Sequence, residues 1–347
     1  MKKTNPFTLS FGELPTEFIS RQENTDAIIS TFTADHPIFR TYLIEGIRGS
    51  GKTVLMTSIA SKLESEDDWI VVNLNSTLDL MTDFARELTD KCQKEKRLLP
   101  SGFSVSIEGV GFGVSNTVAS STHESISIVK RILENLKKKN KRVLITIDEV
   151  IHDDNMRTFA SEFQIFIREG FSLYLIMTGL YENIDAVQND PSLTFLLRSP
   201  KIRLEPLGLL PISYQYESIF NISFEEAKEL ADYTRGYAFA FQALGLLYYE
   251  YRESEDIEQI LRRLDVMLDE YVYRKIWSSL SGQDKKVIKA MSAPLMKTGD
   301  MCNITGMTSS TFNKYRDRLI KKGILEAPEH GVVCFALPRF REVVRAY

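Results

Sequence analysis

The residues at 46–53 have the types and the spacing that bind phosphate groups. They are Gly-Ile-Arg-Gly-Ser-Gly-Lys-Thr and fit the pattern G-x-x-x-x-G-K-[ST] without a substitution. An apolar run at 41–45 precedes them, and apolar residues at helical spacing follow at 54–63, so we predict strand, loop and helix in that order. A glycine-rich turn that matches by chance is the alternative, and this context disfavours it. We predict that the motif binds a nucleotide through Gly46, Arg48, Gly49, Ser50, Gly51, Lys52 and Thr53.

The predicted chemistry of this motif follows from its residue types. Glycine lacks Cβ and lets the backbone turn tightly, so that N–H groups and a helix N-terminus face the phosphates. Lys52 is predicted to reach the β- and γ-phosphates, and the Thr53 hydroxyl is predicted to ligate Mg²⁺.

Two carboxylates follow a continuous apolar run that begins at Arg142. We predict that Asp148 binds Mg²⁺ through water and that Glu149 polarises the water that attacks the γ-phosphate. An exposed acidic loop is the alternative, which the buried character of the preceding run disfavours. Thr178 ends the next apolar run, at the sheet edge where ligands bind, and is predicted to sense a phosphate. Threonine is also common in strands without such a role.

The alternation of strands and helices predicts an α/β fold, a P-loop NTPase core with a parallel sheet in three layers. We assign residues 1–205 to this core. Strict alternation at 102–116 predicts a β-hairpin inserted into it. Residues 206–270 show helical patterns without a convincing strand and are predicted to form a helical lid domain. Its aromatic residues, including Tyr237 and Phe239, are interpreted as core and interface residues.

A different pattern occupies residues 271–347. Three predicted helices precede a two-stranded wing, the order of a winged helix-turn-helix domain. The third helix begins near Ser309 and ends at Gly323. Winged helices also bind proteins, so this alternative stays open beside duplex DNA. The candidate DNA contacts on the third helix are Asn313, Lys314, Arg316 and Lys321.

The charge balance favours DNA for this region. Residues 271–347 contain 14 basic and 6 acidic residues, a balance of +8, whereas the whole chain has a net charge of −4. The first 270 residues therefore have a balance of −12. A basic region on an acidic body indicates an anionic partner for that region alone.

Composition is that of an ordinary globular protein, with 43% hydrophobic and 26% charged residues. No apolar run is long enough for a transmembrane helix, and the polar N-terminus lacks the apolar core of a signal peptide. Cys92, Cys302 and Cys334 have neither metal-site nor disulfide spacing. We expect a cytoplasmic protein without a membrane partner.

Together these motifs resemble AAA+ ATPases of the origin-recognition initiator type, and above all their bacterial relatives. The segment from Asn5 to Arg21 is similar to the N-terminal box of the family, although a Gly more often precedes the Arg there. The resemblance implies ATP as the nucleotide, Mg²⁺ as the cofactor and a homo-oligomer in the ATP state. It also implies that Arg198, within Leu-Arg-Ser, is an arginine finger acting on the ATP of a neighbouring subunit.

One departure from the family pattern concerns the lid. Initiators carry an arginine early in a lid helix that senses the γ-phosphate, whereas the corresponding segment here, Thr234 to Phe239, is aromatic. Arg235 lies one residue before Gly236, where we do not expect it to reach the phosphate. This pattern also resembles signalling NTPases that use ATP as a slow switch.

Two functions therefore follow from the sequence. The first is an ATP-hydrolysing protein that binds DNA through its winged helix and assembles or remodels a complex under ATP control. The alternative is a slow regulatory switch whose winged helix docks another protein or its own core. Glu149 and Arg198 favour hydrolysis across a subunit interface, and the absent lid arginine favours slow turnover.

Overall fold

The structure is a computed structural model that describes residues 5–10, 17–94, 98, 122–345 and 347. The described residues cluster into two units. The sheet unit comprises Arg21–Glu45 and Lys52–Arg203, and the helical unit comprises the described parts of Met1–Ser20, Gly46–Gly51 and Leu204–Tyr347. The hairpin expected at 102–116 lies outside the described residues. The domain boundaries expected at 205 and 270 stay predictions.

The sheet unit contains a five-stranded parallel sheet in the strand order β2-β3-β4-β1-β5. This confirms the predicted P-loop type of α/β fold. Buried β-branched and aliphatic residues fill the central strands, as expected for strands covered on both faces. The strands are β1 Thr41–Glu45, β2 Trp69–Asn75, β3 Arg142–Asp148, β4 Leu173–Gly179 and β5 Lys201–Arg203.

The register of this sheet brings the predicted polar residues to one edge. Ile147 of β3 pairs with Met177 of β4, so Asp148, the last residue of β3, and Thr178, the penultimate residue of β4, lie at the same level. Glu45, at the end of β1, pairs with Gly179. Because all these strands are parallel, their carboxyl ends share one edge, where a ligand site is expected.

Six α-helices accompany the sheet among the residues that the structure describes. Their apolar faces pack into one core with the strands. The start of helix α5 follows from its capping residue: the Asp153 carboxylate caps the N-terminus by accepting a hydrogen bond from the Met156 N–H at 2.9 Å. The helices are α1 Gln22–Thr33, α2 Lys52–Glu64, α3 Leu80–Lys94, α4 Thr122–Lys138, α5 Asp154–Arg168 and α6 Tyr181–Gln188.

The first part of the helical unit consists of helices around an aromatic core. Its last long helix runs through a π-helical turn, Asp269–Tyr273, before it continues as an α-helix. The periodicity of the sequence does not indicate this turn. The helices are α7 Leu209–Phe220, α8 Phe224–Thr234, α9 Ala238–Tyr251, α10 Ile257–Leu268 and α11 Arg274–Ser278.

The described C-terminal region of the same unit contains four helices and a small antiparallel sheet in the order β6-β8-β7. The guanidinium of Arg318 joins the third helix to the first, since its Nε donates to the Asp284 carboxylate at 3.0 Å. Strand β6 was not expected from the sequence. The elements are α12 Gly282–Lys289, β6 Met296–Lys297, α13 Thr298–Thr305, α14 Ser309–Lys321, β7 Leu325–Glu326, β8 Val332–Phe335 and α15 Phe340–Val344.

Membrane spans are absent from the part of the chain that the structure describes, since none of its helices is both long and apolar enough to cross a bilayer.

The N-terminal residue Phe7 packs in the core of the helical unit. Its ring lies 5.6 Å from that of Phe220 and 5.7 Å from that of Phe241, measured between centroids. A Cβ at Gly245 would come within 2.5 Å of the same ring, so only glycine leaves it space. Phe7, from the segment before the first helix, is therefore part of this core.

Truncation of this ring tests its contribution. Phe7→Ala should lower the free energy of unfolding of the helical unit by about 3–5 kcal/mol, because a fully buried aromatic side chain is replaced by a cavity. Urea unfolding followed by circular dichroism measures the change. Leu210→Ala, which truncates a side chain that is 56% exposed, is the control. Equal midpoints for the two variants would contradict the packing role.

Candidate nucleotide-binding site

Asp148 lies at the centre of the polar edge of the sheet unit. One carboxylate oxygen accepts the Thr53 hydroxyl hydrogen at 2.7 Å, and the other accepts the hydroxyl of Thr178. Thr53 belongs to the first turn of α2, and Thr178 is the penultimate residue of β4. The structure thus brings together three residues that the sequence predicted for one site, from three separate elements.

Glu149 follows directly and has an unusual backbone. Its φ angle is +51°, a left-handed conformation that costs a residue with a Cβ about 1 kcal/mol or more. Its N–H lies 3.3 Å from the Thr178 hydroxyl oxygen. Such conformations cluster at functional sites, where they aim a side chain in a particular direction.

The Glu149 carboxylate faces the motif lysine. Its Oε1 lies 3.5 Å from Nζ of Lys52, which is only 4% exposed, whereas the glutamate side chain is 39% exposed. A nearly buried ammonium beside an accessible carboxylate provides a cation for phosphate oxygens and a base that water can reach. Both predicted roles therefore have a suitable geometry.

The phosphate loop, residues 46–51, requires glycine for two physical reasons. Gly49 and Gly51 have φ angles of +73° and +90°, which favour glycine. A Cβ at Gly46 would come within 2.5 Å of the Ser50 Oγ, so that position has no room for a side chain. The N–H of Ser50 donates to the Ile47 carbonyl at 3.2 Å and closes the turn.

Two residues of the lid contact this loop within the helical unit. The Phe239 N–H donates to the Gly49 carbonyl at 3.0 Å, and the Tyr237 hydroxyl donates to the Arg48 carbonyl. The sequence pattern favours core and interface roles for both aromatics, so they are not among the predicted site residues. The signal that could have found them is the aromatic residue at the position where initiators have an arginine.

Arg235, the only cation close to that position in the sequence, points elsewhere. Its guanidinium pairs with the Glu326 carboxylate at 2.8 Å. This agrees with the expectation that Arg235 does not substitute for the lid arginine of initiators.

Arg198 is exposed at the end of a short 3₁₀ helix, Thr194–Arg198. Among the described residues it makes no hydrogen bond or ion pair, so the structure does not join it to Asp148 or Glu149. The loop before it is fixed by Asp190, which is nearly buried.

The Asp190 carboxylate accepts several hydrogen bonds, foremost from Ser192, then from Arg157 at 2.7 Å and His152 at 2.7 Å. These donors hold the pKa of Asp190 well below its usual range. A carboxylate that stays ionised anchors the loop that presents Arg198.

Three archaeal proteins of known structure resemble the fold. A Walker-type ATPase of Pyrococcus abyssi has a TM-score of 0.68 at 12% identity, covering 95% of this chain and 96% of that one. The ORC2 protein of Aeropyrum pernix, in ADPNP–ADP complexes, has a TM-score of 0.61 at 12% identity, and the match covers 97% of this chain and 96% of that one. Cdc6p from Pyrobaculum aerophilum has a TM-score of 0.53 at 16% identity, and the match covers 97% of this chain and 96% of that one. This chain has an Orc/Cdc6-like P-loop fold. At these identities the likeness concerns the fold, and activity has to be argued from the site.

Sequence comparisons add one match. Residues 270–344 match the model of a family described as Domain of unknown function (DUF8462). No curated protein matches this sequence. This match covers only the C-terminal region of the chain.

The four candidate DNA contacts in that part lie on α14 in different environments. Lys314 and Lys321 are exposed, whereas Arg316 pairs with the adjacent Asp317 at 2.8 Å. The Oδ1 atom of Asn313 is buried and has no hydrogen-bond partner among the described residues. Bidentate pairing with a base requires both ends of the carboxamide, so this placement disfavours Asn313 as a base-reading residue.

Substitutions in the nucleotide motif separate binding from hydrolysis. Lys52→Ala should abolish ATP binding, because it removes the cation that faces the phosphates. Glu149→Gln should bind ATP but hydrolyse it at least about 100-fold more slowly, because the amide is a poor base. Calorimetric titration and phosphate release measure the two effects.

Glu66→Gln, which neutralises an exposed carboxylate, is the matched control. Unchanged ATP binding by Lys52→Ala would refute the phosphate-loop assignment, and normal turnover by Glu149→Gln would place the base elsewhere.

Proposed function

We propose that the protein is an ATPase that uses Mg²⁺, oligomerises in the ATP state and binds duplex DNA through its C-terminal region. The observation that carries the ATPase proposal is the 2.7 Å bond between the Thr53 hydroxyl and Asp148 beside the Lys52–Glu149 pair. We place this activity in the cytoplasm, a reducing compartment that suits the three free cysteines.

The residues at the sheet edge fit a magnesium ion. A hydroxyl and a carboxylate are oxygen ligands of the hard type that Mg²⁺ prefers, and they already lie within one hydrogen bond of each other. Thr53 and Asp148 would hold the ion, directly and through water respectively. Bound there, Mg²⁺ supplies positive charge to the β- and γ-phosphate oxygens.

The remaining roles fall to protein groups. Lys52 binds the β- and γ-phosphates, Glu149 orients and polarises the attacking water, and the Thr178 hydroxyl, which bonds to Asp148, senses a phosphate. Because Lys52 pairs with Glu149 in this structure, ATP must draw the ammonium to its phosphates and release the carboxylate for water. Hydrolysis is proposed to be slow, since the start of α9 has aromatic residues where initiators have an arginine.

Arg198 is proposed to complete the site of a neighbouring copy. Three features support this role: its exposure, its place directly before β5, and the ionised Asp190 that anchors its loop. A surface arginine without a role is the alternative, and the contribution of such a residue to stability is below about 1 kcal/mol.

Mixing two inactive variants tests the action of Arg198 in trans. Arg198→Ala should lose about 10³-fold or more in ATP turnover, and a mixture with Lys52→Ala should recover part of the activity. Recovery occurs because some interfaces join an intact pocket to an intact finger. Phosphate release measures it, with Arg168→Ala, an exposed arginine of α5, as the control. Mixtures that co-assemble and stay inactive would refute the role.

DNA binding is proposed for the region that contains α12, α13, α14 and the hairpin of β7 and β8, which we interpret as a winged helix. Its helix order and charge balance of +8 support this proposal. Lys314 and Lys321, exposed on α14, are the proposed phosphate contacts. Comparison of duplex binding with and without ATP is the experiment that tests nucleotide control.

A slow regulatory switch is the second candidate, favoured by contacts within the helical unit. Gly323, at the end of α14, lies against Ile47 of the phosphate loop, since a Cβ there would meet the Ile47 Cβ at 3.5 Å. The Arg235–Glu326 ion pair adds a further link between lid and C-terminal region. These contacts suit a region that docks on its own core.

The salt dependence of duplex binding distinguishes the two candidates. If α14 contacts phosphates, affinity should fall with salt by a slope of about −0.9 per phosphate neutralised. Lys314→Glu should reduce the slope by about 1 and leave ATP affinity unchanged. Fluorescence anisotropy with a labelled duplex measures this.

Lys228→Glu, a charge reversal at an exposed lysine of α8, is the matched control. Equal salt slopes for wild type and Lys314→Glu, or no duplex binding at low ionic strength, would favour the switch.

A further inference from the structure

The lid helix binds two consecutive carbonyl groups of the phosphate loop. The Tyr237 hydroxyl donates to the carbonyl of Arg48, and the Phe239 N–H donates to that of Gly49 at 3.0 Å. Both donors come from the start of α9, and Tyr237 is only 6% exposed. The lid therefore contacts the backbone of the loop with a neutral phenol at the place where initiators present a charged arginine.

Fixing a carbonyl also fixes the next N–H. In a planar trans peptide the C=O and the following N–H point in opposite directions. With the Arg48 carbonyl bonded to Tyr237, the Gly49 N–H points away from the lid helix. Backbone N–H groups are the donors by which such loops bind phosphate, so Tyr237 determines the direction of one of them.

A second tyrosine lies behind the first. The ring of Tyr273 stacks on that of Tyr237 with centroids 6.3 Å apart and planes 26° apart. Tyr273 ends the π-helical turn, and its hydroxyl donates to the Pro338 carbonyl at 2.6 Å. Its ring also contacts Phe340 edge-on at 4.9 Å.

The chain of contacts thus runs from the phosphate loop through Tyr237 and Tyr273 to Pro338 and Phe340. All the side chains in it are buried or nearly so. Tyr273, Pro338 and Phe340 belong to the part of the chain that matches the domain of unknown function. Tightly packed aromatic rings transmit small displacements, because they have no space to absorb them.

We propose that Tyr237 is a positioning residue of the phosphate loop and that Tyr273 makes its position depend on the C-terminal residues Pro338 and Phe340. This inference rests on the proposed ATP site. It adds that the contacts of Tyr273 with Pro338 and Phe340 contribute to nucleotide affinity.

The first test is Tyr237→Phe in the full-length protein, which removes one hydroxyl and keeps the ring. Loss of a buried hydrogen bond to the loop should weaken nucleotide binding by about threefold to tenfold. ATP and ADP should be affected alike, because the loop binds the phosphates that they share, whereas a sensor of the γ-phosphate would affect ATP alone. Calorimetric titration with ATP and with ADP, both with Mg²⁺, measures the two affinities.

Tyr216→Phe is the matched control. Its hydroxyl is equally buried and donates to a lid carbonyl, that of Phe241, at 2.6 Å, but it does not contact the phosphate loop. It should lower the melting temperature without nucleotide and leave both affinities unchanged. Equal weakening by Tyr216→Phe and Tyr237→Phe would show general destabilisation and overturn the inference.

The second test examines the link to the C-terminal region. Tyr273→Phe loses its bond to Pro338 and should weaken ATP binding by about twofold to fivefold in the wild-type background. In the Tyr237→Phe background the same change should have no further effect, because the hydroxyl that it displaces is already absent. Additive effects would refute transmission through Tyr237.

Two outcomes separate this inference from the proposed function. A wild-type protein that binds no nucleotide would refute the ATP site itself. If the wild-type protein binds nucleotide and Tyr237→Phe binds it with the same affinity, only the positioning role is refuted. If Tyr237→Phe does not fold, Phe340→Leu supplies the test through nucleotide affinity, and an unchanged affinity then overturns the proposal.

Discussion

The hydrogen bonds to the Asp148 carboxylate are the interaction on which the polar edge of the sheet depends. Two hydroxyls, from Thr53 and Thr178, approach its two oxygens, and they belong to a helix and to a neighbouring strand. The parallel register of β3 and β4 makes this possible, because a slip by one residue would turn Thr178 to the opposite face. The donors also compensate the cost of removing a carboxylate from water.

Several arginines of the C-terminal region also form internal contacts with carboxylates and so do not contribute only to the charge of the surface. Arg318 bonds to Asp284, Arg339 bonds to Asp265 of α10 at 2.6 Å, and Arg316 pairs with its neighbour. Arg274 and Arg341 also pair with carboxylates, those of Asp269 and Glu342, so at least five of the fourteen basic residues have carboxylate partners within the unit. The positive surface that a partner meets is smaller than the sequence balance suggests, and Lys314 carries more of it.

The sequence predicted the features that depend on neighbouring residues, but not those that depend on contacts between residues far apart in the chain. Residues 46–53 and Asp148 were predictable because a local pattern and a buried apolar run defined them, and the parallel sheet followed from the alternation of elements. Tyr237 was not, because its partner Arg48 lies 189 positions away, and an aromatic residue in a helical domain usually belongs to the core. The burial of the Asn313 oxygen could not be predicted from the sequence either, since helical periodicity places that residue on the polar face of its helix.

The π-helical turn at Asp269–Tyr273 has a geometric consequence for everything that follows it. Such a turn accommodates one residue more than an α-helical turn. Conversion to regular α-helix would therefore advance the chain after Tyr273 by one residue, a rotation of about 100° around the helix axis and a rise of about 1.5 Å. The π-helical turn therefore sets the rotation of the C-terminal region about the axis of α10, and the bond between Arg339 and Asp265 of α10 holds the region in that orientation.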